Sequence, residues 1–152
     1  MATANLSLVG VFGLAIIAAA TVPLFVIDVR SHRLPNAFTY PMALVIGAAL
    51  AIAGQWQAVV CGLVAGLAML ALSLVTRGGI GLGDVKLSVS LGMASGVFST
   101  TATVLVFAYA FIIGGLWATI GLASRKYNRG SAIAFGPALL VGFWAAIMSV
   151  ML

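Results

Sequence analysis

The segment Thr101–Leu122, TATVLVFAYAFIIGGLWATIGL, contains 22 residues without a single charge. About 20 consecutive apolar residues are enough for a helix to cross the hydrocarbon core of a bilayer, which is about 30 Å thick. This segment therefore predicts a transmembrane helix. The whole chain shares its character, because 64% of the 152 residues are hydrophobic and only 6% are charged.

Five further apolar runs lie outside this segment, and together they predict an all-α membrane protein, a polytopic bundle of about six transmembrane helices. The other runs are Leu6–Ile27, Ala37–Ala53, Ala58–Val75, Leu87–Val97 and Ile133–Leu152. The uncharged stretch 87–124 is too long for one span, and the turn-forming residues Ser95, Gly96 and Ser99 favour two helices. We expect one domain over residues 1–152, with the first run, longer than a signal-peptide core, as an uncleaved span.

The positions of the basic residues agree with six spans. They lie between the first and second runs (Arg30, Arg33), the third and fourth (Arg77, Lys86) and the fifth and sixth (Arg125, Lys126, Arg129). Six spans place all of them on one side, which the positive-inside rule assigns to the cytoplasm, whereas five spans would divide them. The net charge of +5 thus reflects membrane topology, and we expect no nucleic-acid partner.

Small residues recur four positions apart in two of the runs, at Gly62 and Gly66 and at Gly92 and Gly96. This spacing lets helix backbones approach closely in lipid. We interpret it as packing within the bundle.

Only two acidic residues occur in the chain, Asp28 and Asp84. A carboxylate near the bilayer is costly, so each needs a functional or structural reason. Six spans put both on the cytoplasmic side and at the same depth, where they could meet. Two adjacent carboxylates share a proton and supply an acid and a base, which predicts an aspartyl enzyme at a membrane. Two local alternatives remain open, Asp84 as a helix N-cap and Asp28 as an interfacial charge neutralised by Arg30 or Arg33.

The second aspartate follows glycines in the run Gly81-Leu82-Gly83-Asp84-Val85-Lys86. Glycines let the backbone leave helical geometry and let an extended chain approach closely. We therefore expect Gly81 and Gly83 to bind a substrate backbone beside Asp84. Lys86 faces another side of a regular helix, and we assign it to topology or to lipid headgroups.

Metal and cofactor chemistry have little support in the sequence. His32 is the single histidine and Cys61 the single cysteine, so neither a histidine site nor a cysteine cluster is expected. An aspartyl mechanism requires no metal and no organic cofactor.

Three motifs occur in an order and spacing that resemble the type IV prepilin peptidases. They are Asp28 followed by Arg33-Leu34-Pro35-Asn36, then Gly81-Leu82-Gly83-Asp84-Val85-Lys86, and then Phe135-Gly136-Pro137. The resemblance covers nearly the whole chain. In size the chain is similar to the short form found with Flp/Tad pilus systems.

This resemblance implies a GxGD-type intramembrane aspartyl protease of the bacterial inner membrane that removes the short basic leader of prepilins at the cytoplasmic face. By position, Asp28 and Asp84 would be its catalytic pair. The implied partners are a prepilin with a hydrophobic N-terminal helix and the lipid bilayer, and no oligomeric state is predicted. Larger members also N-methylate their product and carry a segment with paired cysteines. This chain has one cysteine and a short loop there, so neither methyltransferase activity nor zinc is expected.

Two other classes stay open on the residues alone. Carboxylates at the membrane edge beside glycines could carry protons or cations in a small transporter. A noncatalytic pilus-assembly protein could also have this fold, although the presence of both aspartates favours the enzyme.

Overall fold

The computed structural model describes residues 8–31, 34–76, 80–123 and 135–152, and these residues are helical with short connections and without strands. The helices are α1 (Leu8–Ser31), α2 (Asn36–Ile52), α3 (Trp56–Val75), α4 (Leu82–Gly96), α5 (Thr100–Ala123) and α6 (Gly136–Met151). The expectation of an all-α protein is confirmed. The predicted ends at Leu6 and Ile133 lie outside the described residues, as do His32, Arg33, Arg77, Arg125, Lys126 and Arg129.

Within the described residues, three helices are long and apolar enough to cross a membrane: α1, α3 and the part of α5 from Thr100 to Gly121. At 1.5 Å per residue, the 24 residues of α1 extend about 36 Å, more than the hydrocarbon thickness. The 17 residues of α2 and the 16 of α6 are apolar but shorter. Large apolar side chains are exposed on these helices, which suits a surface in contact with lipid.

The uncharged stretch 87–124 forms two helices, as predicted, because the chain turns at residues 97–99. The fourth helix begins at Leu82, however, five residues before the expected Leu87. Gly81 has an extended backbone, and its carbonyl accepts hydrogen bonds from the N–H groups of Asp84 and Val85. These bonds start the helix early and place Asp84 within its first turn.

Helix α4 lies at the centre of the bundle and contacts all five other helices. It is only 15 residues long, and every residue from Ser90 to Gly96 is buried. Ser88, Ser90 and Ser95 are fully buried in it, and Ser95 donates a hydrogen bond to Thr103 of α5 at 3.0 Å. The most polar helix of the protein is thereby kept away from lipid.

The repeated small residues bring α3 and α4 together, as their spacing predicts. A β-carbon added at Gly92 would lie 2.9 Å from the Gly62 Cα, and one at Gly96 would lie 2.9 Å from the Ala58 Cα. Larger side chains have no room at these positions, so the glycines set the distance between the two backbones.

Neighbouring helices alternate in direction. Trp144 of α6 donates a hydrogen bond to Thr21 of α1 at 3.0 Å, and Gly136 lies beside Asp28. One end of the bundle therefore contains the last residues of α1, α3 and α5 and the first residues of α2, α4 and α6. We call this the aspartate end, since Asp28 and Asp84 both lie there.

Candidate active site

Asp28 lies on the buried stripe of α1, near the end of the helix. The stripe consists of Gly10, Gly13, Ile17, Leu24 and Asp28. Because these positions are three, four or seven residues apart, they share one helix face. Asp28 is only 3% exposed, whereas Arg30, two residues on, is exposed on another face.

Asp84 occupies the third position of α4 and is 7% exposed. Its carboxylate accepts a hydrogen bond from the backbone N–H of the N-cap residue Gly81. A carboxylate that reaches back to the N-cap N–H satisfies a donor that the helix leaves unpaired, and it also gains from the helix dipole. The alternative with Asp84 as the N-cap is therefore wrong, because Gly81 holds that position.

The first residue of α6 brings the two carboxylates together. A β-carbon added at Gly136 would lie 2.5 Å from Asp28 Oδ2 and 3.3 Å from Asp84 Oδ1. Both oxygens are thus close to one point, where two negative charges would repel each other. The contact with Asp28 is too short for a real side chain, so only glycine leaves both carboxylates where they are.

No role for Gly136 is predicted from the sequence beyond its membership of the motif Phe135-Gly136-Pro137. The sequence signal that could have pointed to Gly136 is a glycine directly before a proline at the start of a helix. Pro137 at the first turn lacks an N–H that the helix would leave unpaired, and it suits a helix start. This start fixes the position at which the Gly136 backbone meets the aspartates.

The segment after α1 packs on the start of α4. A β-carbon added at Gly83 would lie 2.8 Å from Leu34 Cβ, so Leu34 occupies the space beside this glycine. Lys86 donates a hydrogen bond to the Asn36 side chain at 2.7 Å, and its ammonium lies 4.3 Å from the centre of the Tyr40 ring. Lys86 thus ties α4 to α2, and its role in topology or at lipid headgroups remains a prediction.

These contacts separate the two glycines expected to bind substrate. Gly81 is exposed and lies beside Asp84, since a β-carbon there would be 3.6 Å from Asp84 Oδ2. Gly83 is half-buried against Leu34. A substrate role for either residue remains a prediction, and the geometry favours Gly81.

The described residues contain no group of three His, Cys, Asp or Glu side chains that could hold a metal ion. The arrangement of the two carboxylates suits proton transfer. Two buried neighbouring carboxylates cannot both ionise cheaply, so one proton is shared between them. Such a pair offers an ionised base and a protonated acid to the same reacting group.

A sequence model described as the type IV leader peptidase family matches residues 9–119, a range that contains both aspartates. No solved structure matches the chain.

Three curated relatives are each named prepilin leader peptidase/N-methyltransferase. The chain is 28% identical over 120 residues to the protein of Bacillus subtilis (strain 168), covering 77% of this chain and 47% of the relative. The identity is 31% over 130 residues to that of Stutzerimonas stutzeri, with 80% and 44% covered. It is 32% over 134 residues to that of Pseudomonas putida, with 82% and 45% covered. The chain thus spans less than half the length of these relatives.

Proximity of the aspartates can be tested by cross-linking. In a Cys61→Ala background, we expect Asp28→Cys and Asp84→Cys, combined in one chain, to form a disulfide rapidly under mild oxidation in the membrane. The measurement is the electrophoretic shift of the cross-linked protein before and after reduction.

The matched control pairs Asp28→Cys with Lys86→Cys, which lies two residues further along α4 and faces α2. This pair should cross-link far more slowly. Equal rates for the two pairs would contradict the geometry described for α1 and α4.

Proposed function

The chain belongs to the type IV leader peptidase family, and on that premise we propose that it is a membrane-embedded aspartyl endopeptidase. It removes the short basic leader of Flp-like type IV prepilins at the cytoplasmic face of the bacterial inner membrane. The observation that carries this proposal is the approach of Asp28 and Asp84 to the same point beside Gly136.

The pair supports peptide hydrolysis by general acid–base catalysis. The ionised carboxylate takes a proton from a water molecule, whose oxygen attacks the scissile carbonyl carbon. The protonated carboxyl donates a hydrogen bond to the carbonyl oxygen, on which negative charge develops. When the carbon–nitrogen bond breaks, a proton passes to the departing amine, and one shared proton again remains on the pair.

The position of the pair suits a substrate that enters from the aqueous edge. Both aspartates are near helix ends, and the neighbouring Gly81 and Leu82 are exposed. A peptide must be extended for its carbonyl to be attacked, and the small exposed Gly81 lets such a backbone pass close to Asp84.

Orientation follows from charge. Arg30 and Lys86 lie at the aspartate end. The other five basic residues fall, in sequence, between α1 and α2, between α3 and α4 or between α5 and α6. By the positive-inside rule, this end faces the cytoplasm and both chain ends face outward. The proposal concerns peptidase activity alone, since the chain spans less than half of its bifunctionally named relatives.

Replacement of either aspartate tests the mechanism. We expect Asp28→Asn and Asp84→Asn each to lower the rate of prepilin cleavage at least about 100-fold, because each removes one partner in proton transfer. The double variant should be no slower than the slower single one, since the two groups act as a unit. Cleavage of a tagged prepilin by purified protein in detergent gives the rates. Near wild-type cleavage by either single variant would exclude the two-aspartate mechanism.

The space at Gly136 allows a second test. Gly136→Ala should lower the cleavage rate at least about 100-fold, because the added methyl group displaces the Asp28 carboxylate and disturbs proton transfer between the pair. Gly115→Ala is the matched control, since no atom lies within 4 Å of the added carbon there. Equal activity of the two variants would show that the contact at Gly136 has no catalytic consequence.

Membrane orientation can be tested at the two ends of α3. In whole cells with a Cys61→Ala background, an impermeant thiol reagent added outside should label Ala53→Cys and leave Thr76→Cys unlabelled. Both positions are exposed, and they precede and follow the helix. The reverse labelling pattern would overturn the proposed orientation, and it would not affect the assignment of Asp28 and Asp84 as the catalytic pair.

A further inference from the structure

A long groove runs along the membrane-facing surface between α3 and α5, which pack against each other only sparsely. Its volume is about 550 Å³. We define this α3–α5 groove by the residues from Gln57 to Leu72 on one wall and from Thr100 to Phe111 on the other. Gln57 donates a hydrogen bond to Thr100 at 3.2 Å and closes the end remote from the aspartates.

The length of the groove suits a helix that crosses most of the membrane. The 15-residue interval from Gln57 to Leu72 corresponds to about 22 Å at 1.5 Å per residue. A second groove, between α1 and α2, has a volume of about 420 Å³. It extends only from Ile16 to Pro23 on α1, about 10 Å by the same rise.

The two walls of the α3–α5 groove present side chains of different size, and together they suit the binding of an apolar helix. The α3 wall presents the small side chains of Cys61, Ala65 and Ala68, which let another backbone approach closely. The α5 wall presents the aromatic rings of Phe107 and Phe111, which supply apolar contact area. Polar side chains are confined to the end near Gln57 and Thr100.

The other end of the groove reaches the depth of the aspartates. A β-carbon added at Gly66 would lie 3.8 Å from the carbonyl oxygen of Val85, the residue after Asp84. Met69 and Leu72 follow Gly66 toward the aspartate end, so the α3 wall extends past this level.

The α5 wall is connected to the site directly. The Phe111 ring packs on the Phe135 ring, with 5.3 Å between the ring centres. Phe135 precedes Gly136, whose backbone lies against both carboxylates. The end of the groove at Phe111 is therefore separated from the catalytic pair only by Phe135 and Gly136.

We propose that the α3–α5 groove binds the hydrophobic helix of the substrate that follows the scissile bond. This inference rests on the proposed function. The substrate helix lies against α3 and α5 across the membrane, and its first residues leave the groove between Leu72 and Phe111 to place the extended scissile bond at the aspartates. Contacts along the helix thus supply affinity, while the aspartates supply the chemistry.

Three valines of similar exposure provide matched positions for a test. Val64 is 59% exposed in the α3–α5 groove, and Val141 is 45% exposed on α6, outside both grooves. Val45 is 46% exposed in the α1–α2 groove. Each is replaced in turn by a photoreactive phenylalanine derivative in the full chain, in membranes that contain a tagged prepilin and with Asp84→Asn to prevent cleavage.

Irradiation should cross-link position 64 to the hydrophobic segment of the prepilin, with little product from positions 45 and 141. Cross-linking from position 45 in place of 64 would overturn the proposal. Products from position 64 that contain only lipid, or only a second copy of this chain, would overturn it as well.

Kinetics with the active protein give a second measurement. Val64→Trp narrows the groove and should raise the KM for full prepilin roughly tenfold with little change in kcat, whereas Val141→Trp should leave both constants unchanged. Equal effects of the two variants would overturn the groove proposal while leaving the peptidase intact. Failure of the wild-type protein to cleave prepilin would instead overturn the proposed function, so the two failures are distinguishable.

Discussion

Burial of the polar helix α4 is the constraint on which the rest of the structure depends. This helix contains Asp84, Lys86 and three fully buried serines, and its exposure to lipid would leave these groups without water or partners. The other five helices surround it, and its glycines allow the α3 backbone to approach closely. The hydroxyls of Ser88 and Ser95 donate hydrogen bonds within the helix, to the carbonyls of Asp84 and Leu91. The apolar surfaces of the surrounding helices remain for contact with lipid.

The candidate active site follows from this burial. Because α4 is central, its first turn faces both α1 and α6, and Asp84 meets Asp28 beside Gly136. Two neighbouring carboxylates cost stability when they are buried together, and structures retain such pairs where proton transfer requires them. Leu34 on Gly83 and the bond between Lys86 and Asn36 hold the start of α4 against the segment after α1. These contacts are made by Gly83 and Lys86, which flank Asp84 near the start of α4, and they help to position its carboxylate.

The family assignment and the geometry give different information about the candidate active site. The matched range 9–119 contains both aspartates, whereas Gly136 lies beyond it. The contact of Gly136 with both carboxylates is visible only in three dimensions. The same holds for the groove between α3 and α5, where Phe111 of the groove wall packs on Phe135, the residue before Gly136. Substrate binding and chemistry are thus proposed for adjoining parts of one bundle.

The sequence by itself determined the all-helical architecture, the two-helix interpretation of 87–124 and the close helix packing at the glycines spaced four residues apart. These features depend on local hydropathy and residue size, which a single chain displays directly. It also predicted Asp28 and Asp84 as the candidate catalytic pair, because acidic residues are so scarce here. Only the tertiary structure decided that α4 starts at Leu82 and that Lys86 contacts Asn36. It also decided that Leu34 covers Gly83 and that Gly136 lies beside both carboxylates. Which face a helical residue presents to which neighbour depends on the rotation of each helix, and that rotation is set by the packing of all the surrounding helices together.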